Sequence, residues 1–368
     1  MIGRALLVSL RSNPAHIQLM IAYAKAIQAL GLEAVFLLDP AYSRFSELGN
    51  AAPVLEYGKT HLDHHWDCAI FMNPSLRNLE TARALKKHGT RVLYILHEPW
   101  QMSARYIKDE GLRAAGMAIL AHRSTVPVLR AADHIILPSQ YGLRVYQSTD
   151  ARYNSSASCI PLLYDDDLRD DIPSLIRTKR FFSYIGNPCR AHGFDQFLNV
   201  VRHSFQRNLD TQFLIASGGH PLPKKCLSDP IFARNAHRLE IQSGRRLSND
   251  EINGYYAQSI CVWNVYRRST QSGVLPKAFM FGAPVLCSEV GSFPEFVTSG
   301  RNGEIVPASD PECIIDEFRR FQEDLVSYAT QCRRDFMSTF YYRAHLRDLC
   351  DLLPDSTSLQ ADFHNPAG

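Results

Sequence analysis

The chain has 368 residues, 45% of them hydrophobic and 21% charged, an ordinary globular composition with length enough for two domains with full cores. Forty basic against 37 acidic side chains leave a formal charge of +3, which argues against nucleic acid as a partner. The nine cysteines form no C-x-x-C pair, so reduced thiols in a cytoplasm are expected, with no disulfide framework or zinc knuckle, and no segment approaches the ~20 apolar residues that span a bilayer.

Ala5 to Leu10 reads as a buried strand opening the polar loop Arg11 to His16, after which apolar residues from Ile17 to Leu30 recur at helical spacing until Gly31. Ala34 to Leu38, Cys68 to Met72 and Val92 to Leu96 continue as strands, an alternation that implies a parallel α/β sheet. Residues 103–131 read as mostly helical with a kink near Pro127, and Asp133 to Ser139 ends the first half. The pattern restarts after an Asp-rich connection with Phe181 to Gly186 and Phe213 to Gly219, and Phe318 to Leu353 reads as helical. Two Rossmann-like parallel-sheet domains facing a central cleft are expected, at 1–165 and 166–353, followed by a tail at 354–368. The first loops of the two domains, Arg11 to His16 and Gly186 to Gly193, should look into that cleft, because ligands of such sheets bind beyond the carboxyl ends of strands.

No metal site is expected. Asp165, Asp166 and Asp167 with Asp170 and Asp171 read as a solvated linker, and Asp63, His64, His65 and Asp67 beside Trp66 as surface or core polar residues. The helix from Met102 to Leu120 sets Tyr106, Ile107, Leu112, Met117, Ile119 and Leu120 beside Arg105, Lys108, Arg113 and the nearby Arg123. Core packing with a basic solvent face is the simpler account of it; peripheral contact with the inner face of a membrane is the other.

Tyr266 to Glu295 is the most informative stretch. Ser269, Thr270, Gln271, Ser272 and Gly273 are small or polar residues suited to a helix start, Val274, Leu275, Ala278, Phe279 and Phe281 give that helix its apolar face, and Gly282 ends it. Pro284 to Cys287 is a short apolar strand, left by a loop that reaches Phe293-Pro294-Glu295. Helix N–H groups that follow a glycine form an anion site, since unpaired donors and the positive dipole end point the same way.

The order Gly273 to Val285, then Gly291-Ser292-Phe293-Pro294-Glu295, then Gly300-Arg301-Asn302-Gly303 resembles the donor-binding region of GT-B glycosyltransferases, especially glycosyltransferase family 4. The resemblance implies a retaining transferase that moves a sugar from a nucleoside diphosphate sugar to a glycan or lipid-linked acceptor, in surface polysaccharide or glycoconjugate synthesis, with no further cofactor. It places donor contacts at Tyr266, Ser269, Thr270, Gln271, Ser272, Gly273, Val274, Lys277 and Glu295. Ser269 and Lys277 stand where family members carry two glutamates that hold the donor sugar and ribose. The loop Gly186-Asn187-Pro188-Cys189-Arg190-Ala191-His192-Gly193 resembles the family's diphosphate loop, with Asn187 and His192 in place of arginine and lysine, so that Arg190 supplies its permanent charge.

His97 and Glu98, following the strand Val92 to Leu96, resemble the family's catalytic loop; a structural histidine is the alternative. Ser12, Asn13 and His16 form an acceptor-side lip, or simply a turn rigidified by Pro14. Two rival functions remain: a GT-B nucleotide-sugar epimerase, and a non-catalytic GT-B partner subunit, the latter motivated by the missing glutamates. The sequence leaves the oligomeric state open.

Overall fold

In the computed structural model of the chain the described residues are 3–58, 65–101, 104–169, 171–307 and 310–353, without the side chains of 104–110 and 114. The readings made for Asp63, His64, Met102, Asp170 and the tail at 354–368, and for the side chains of Arg105, Tyr106, Ile107 and Lys108, lie outside the described residues. The chain divides into two compact units, one comprising Met1–Asp165 with Thr339–Gly368, the other Asp166–Ser338.

The first unit holds strands β1 (Arg4–Ser9), β2 (Glu33–Leu38), β3 (Val54–Glu56), β4 (Cys68–Phe71), β5 (Arg91–Ile95), β6 (His134–Leu137) and β7 (Ala157–Cys159). They form one parallel sheet in the order β3-β2-β1-β4-β5-β6-β7. Its helices are α1 (Ile17–Ala29), α2 (Ser46–Ala51), α3 (Asn78–Lys87), α4 (Ala104–Ala131) and α5 (Gln140–Thr149). The inner strands are apolar on both faces because helices cover both, as parallel crossovers require. Leu6, Val8, Ala69, Phe71, Val92, Tyr94, Ile135 and Leu137 fill one core with Leu85, Leu129 and Tyr146 from the helices.

The second unit holds α6 (Ile172–Ile176), β8 (Phe181–Ile185), α7 (Phe194–Gln206), β9 (Gln212–Gly218), α8 (Pro230–Arg234), β10 (Leu239–Ser243), α9 (Asn249–Ala257) and β11 (Ser259–Asn264). It continues with α10 (Val274–Met280), β12 (Val285–Cys287), α11 (Phe293–Phe296), β13 (Gly303–Ile305), α12 (Pro311–Glu323) and α13 (Leu325–Thr339). Its parallel sheet runs β10-β9-β8-β11-β12-β13. Phe182 anchors an aromatic core, stacked on Phe318 at 5.1 Å and packed against Phe197, Phe213 and Trp263. In both units the strand order reverses beside the first strand, at β1/β4 and at β8/β11, so each sheet opens a crevice beyond the carboxyl ends of those strands.

After α13 the chain packs on the first unit. Tyr164 N–H donates to Phe340 O at 2.8 Å and Tyr342 N–H to Tyr164 O at 3.0 Å, and α14 (Leu346–Cys350) follows. The C-terminal stretch from Phe318, read as helical, comprises the end of α12, then α13 and α14, with interruptions at Asp324 (φ −123°, ψ 39°) and at Phe340–Tyr341. The break in α4 falls at Gly111 (φ 86°, ψ 165°), and the helix then runs on through Pro127, where the kink was expected. All nine cysteines are free thiols, and no described helix is long and apolar enough to cross a membrane.

Candidate functional site

In the second unit β8 delivers Gly186 (φ 134°) to the switch point, where its N–H donates to Ala216 O at 2.9 Å. Asn187 and Arg190 are exposed on the loop that follows. A short 3-10 turn, Arg190–His192, ends at Gly193 (φ 66°), the left-handed residue from which α7 starts. Only glycine fits there: a Cβ on Gly193 would lie 2.2 Å from Val265 O. The loop is thereby locked to the segment leaving β11. His192 stacks on Tyr266 with ring centroids 4.4 Å apart, and its Nδ1 lies 3.2 Å from Asn187 O.

Arg267, which the sequence reading did not single out, completes the lock. It forms a fork on Asp195 at 2.6 and 2.8 Å, donates to Arg190 O at 2.6 Å, and sends its backbone N–H to Ala191 O at 2.8 Å. Burial would raise the Asp195 carboxyl pKa, but the hydrogen bonds and charge of Arg267 outweigh it and hold the pKa below the ordinary value. An i-to-i+72 pairing has no local periodicity, so no sequence signal marked it.

The second wall is the start of α10, and a Cβ on Gly186 would come within 3.8 Å of Val274 Cγ2, which puts loop and helix start side by side. The cap at Gly273 lies in the right-handed region and no side chain of its own closes the helix. Ser272 Oγ accepts from Val274 N–H at 3.3 Å and donates to the buried Asn264 Oδ1 at 3.1 Å, while Ser269 Oγ donates to Gln271 O at 2.8 Å. Asn264 Nδ2 and Gln271 Oε1 are buried with no hydrogen-bond partner among the described residues. Buried amide groups in that condition are costly, and a ligand's polar atoms would relieve them. Thr270 follows Ser269 in this loop. The turn after β12 presses on it: Gly291 (φ 60°) passes so close that a Cβ would lie 1.6 Å from Ser269 O. Glu295 sits one turn further on, in the first turn of α11, its N–H bonded to Ser292 O at 3.0 Å.

Lys277 lies further along α10. It is 6% exposed, and its ammonium lies 2.5 Å from Asp167 Oδ2 and 2.9 Å from Asn253 Oδ1. Asn249 and Asn253 donate to the same carboxylate at 3.1 Å each. Of the junction aspartates Asp171 is exposed, as a solvated linker requires, but Asp165, Asp166 and Asp167 are only partly exposed and are paired: Asp165 with Lys25, Asp166 with both guanidinium nitrogens of Arg333, and Asp167 with Lys277. Each of these three has a cation from a distant element, which spacing along the chain does not reveal. No cluster of three metal-ligating side chains occurs among the described residues.

In the first unit His97 follows β5, 8% exposed, its Nε2 2.9 Å from Met72 O and its ring 4.5 Å from that of His16. Burial pushes the pKa of both imidazoles down. That of His16 falls to about 3, the charge of His97 adding to the burial against an opposing bond from Met72. Both rings are therefore neutral at physiological pH. Beneath them lies a polar network that the sequence reading missed: Ser9 Oγ lies 2.9 Å from Tyr42 Oη, which accepts from Asn13 N–H at 2.9 Å, and Asn73 donates to Ser9 Oγ at 2.9 Å and Arg11 O at 2.6 Å. Asn13 Oδ1 accepts from Ala15 N–H, fixing the loop. Ser12 Oγ, His16 Nδ1 and Asn73 Oδ1 are buried with no hydrogen-bond partner among the described residues. Glu98 is exposed beside His97. Ser12, Asn13, His16 and His97 thus gather at the β1/β4 switch point, with Glu98 at its rim.

Residues 179–324 match the family described as Glycosyl transferases group 1. No curated protein sequence matches the chain. Among solved structures, HepE of Anabaena in complex with UDP superposes with a TM-score of 0.68 at 15% identity, covering 95% of this chain and 99% of that one. Sucrose-phosphate synthase of Thermosynechococcus elongatus gives 0.71 at 14%, covering 98% and 100%. The catalytic domain of starch synthase IV of Arabidopsis thaliana, bound to ADP and acarbose, gives 0.66 at 11%, covering 97% and 99%. These likenesses establish the fold of the chain as GT-B.

Proposed function

We propose that this GT-B glycosyltransferase takes its sugar from a nucleoside diphosphate donor, held in the second unit by the Gly186–Gly193 loop and the start of α10, and transfers it to a glycan or lipid-linked acceptor with retention at the anomeric carbon. The observation that carries the reading is the juxtaposition of these two walls at the β8/β11 switch point, inside the segment that matches the group 1 glycosyl transferases. Similar folds have been solved with UDP, UDP-glucose and ADP bound, which supports a nucleoside diphosphate as the anion.

The diphosphate meets Arg190 on one side and the backbone N–H groups of Ser272 and Gly273 on the other, a combination of permanent charge and oriented dipoles. Asn187 and His192 line the loop, Tyr266 fixes His192, and Asn264, Gln271 and Thr270 offer polar groups to the donor. Lys277 is not among the contacts: its charge is spent on Asp167, and it anchors the junction to α9 and α10. The family glutamate roles pass to other groups, with Glu295 and the Ser269 loop nearest in the chain.

Ser12, Asn13 and His16 recognise the acceptor side, and His97 with Glu98 serves the chemical step. A neutral His97 hydrogen-bonds a sugar hydroxyl without adding a charge. In a retaining transfer the leaving diphosphate itself takes the acceptor proton, so no protein nucleophile is required. The product belongs to surface polysaccharide or glycoconjugate synthesis. Isothermal calorimetry with UDP and ADP tests the donor site: binding of at least one, weakened by Arg190→Ala, is expected, and no binding of either nucleotide contradicts it.

A further inference from the structure

On the first unit α4 carries a stripe that changes character along its length. Beyond the break at Gly111, Leu112, Met117, Ile119 and Leu120 are 79, 62, 38 and 60% exposed. Four large apolar side chains standing in water on adjacent turns form an unpartnered face. Positions 112, 119, 123 and 130 follow helical spacing along one side, so the same stripe continues as Arg123 and Arg130. These two arginines, with Arg152, Trp100, His122 and Tyr153, line an open cavity of about 600 Å³.

The cavity is lined by cations and aromatic rings. Arg130 and Arg152 lie over the Tyr153 ring at 5.1 and 4.8 Å, and Trp100 stacks on His122 at 4.4 Å. Arg123, Arg130 and Arg152 form no ion pair among the described residues. The carboxylate behind the wall, Asp150, is buried and turned inward, accepting from Trp100 N–H at 3.1 Å with His122 Nε2 at 3.5 Å. Residues 111–132 contain three arginines and no acid. We propose that this surface seats an anionic phospholipid membrane, the cavity taking a lipid phosphate between its arginines and the exposed Leu112, Met117, Ile119 and Leu120 of α4 entering the acyl boundary. Guanidinium forks match phosphate oxygens, and the adjoining apolar turns supply the burial that a free phosphate would leave unused. The inference stands independently of the donor assignment.

Sedimentation of the full chain with phosphatidylcholine vesicles, with and without phosphatidylglycerol, tests it. Binding is expected only with phosphatidylglycerol and to weaken with salt. The Arg123→Gln/Arg130→Gln/Arg152→Gln variant and, separately, Met117→Ser/Leu120→Ser should each lose at least about tenfold in vesicle affinity with an unchanged melting temperature. Should the triple variant misfold, Arg123→Gln alone, which removes no ring contact, must still weaken binding. Inorganic phosphate is the second probe. The idea is overturned by equal binding to neutral vesicles, by no vesicle binding, by either variant binding like the parent, or by saturable binding of inorganic phosphate with vesicle binding indifferent to Met117 and Leu120.

Discussion

The Lys277 ammonium lies 2.5 Å from Asp167 Oδ2 in a nest closed by Asn249 and Asn253, tying the residue at the unit junction to α10. Burial would raise the Asp167 pKa, but the charge of Lys277 and the three side-chain donors outweigh it and hold the carboxyl below its ordinary range. Lys277 belongs to the last turn of the seven-residue α10, and the anion that meets its ammonium is Asp167.

Lys277→Met leaves Asp167 and two asparagine carbonyls without their cation. We expect a loss of about 3 kcal/mol in urea unfolding, since removing one partner strands the other charge. Nucleotide affinity should stay within about twofold of the parent. Full stability with a selective loss of nucleotide binding would return Lys277 to the donor site.

Gly193→Ala forces a side chain onto Val265 O and onto a positive φ. The loop must shift, costing at least about 1 kcal/mol in stability from the backbone conformation alone. Calorimetry should show nucleoside diphosphate affinity falling further than the melting temperature suggests, because Arg190 is carried by the displaced turn. Unaltered affinity in the folded variant would detach this loop from the donor.

His16, His97 and His134 all have pKa values lowered by burial, His134 also by the charge of Arg91. The unfolded chain takes up protons at these sites from about pH 6.5 downward while the folded chain takes them up only at lower pH, so their contribution is complete above that pH and is lost as pH falls through the folded-state pKa values. For His16 the loss continues to about pH 3. Urea unfolding between about pH 7 and about pH 5 should show stability falling by up to ~1.4 kcal/mol per unit for each such histidine, and His16→Gln should flatten the slope. A pH-independent stability over that range counts against buried neutral imidazoles.

Much of the fold was legible because parallel strands buried on both faces leave dense apolar runs: Ala5 to Leu10, Cys68 to Met72 and Phe181 to Gly186 coincide with central strands. The short edge strands at Val54–Glu56 and Ala157–Cys159 are half exposed and carry no such run, which is why they went unnamed. The site was legible where backbone conformation dictates residue type, as at Gly186, Gly193 and Gly291. It was not legible where side chains from distant elements meet: Arg267 with Asp195, Lys277 with Asp167, and Asn73 beneath the Arg11–His16 loop depend on strand order, not on spacing.

His97→Ala should depress turnover by at least about tenfold, roughly 1.4 kcal/mol of barrier, with donor affinity nearly unchanged. Single-turnover kinetics on a folded variant check this; a parental chemical rate would make His97 a support for Met72 and His16 alone.

The most direct measurement of the central claim is release of nucleoside diphosphate from a panel of UDP- and ADP-sugars by the purified chain, beside Arg190→Ala, with and without candidate acceptors. The account predicts that at least one donor is turned over, and that Arg190→Ala slows it by at least about tenfold by losing a charge-assisted contact to the diphosphate. Turnover of none of the donors, or an Arg190→Ala rate equal to the parent's, would contradict a donor held between the Gly186–Gly193 loop and the start of α10.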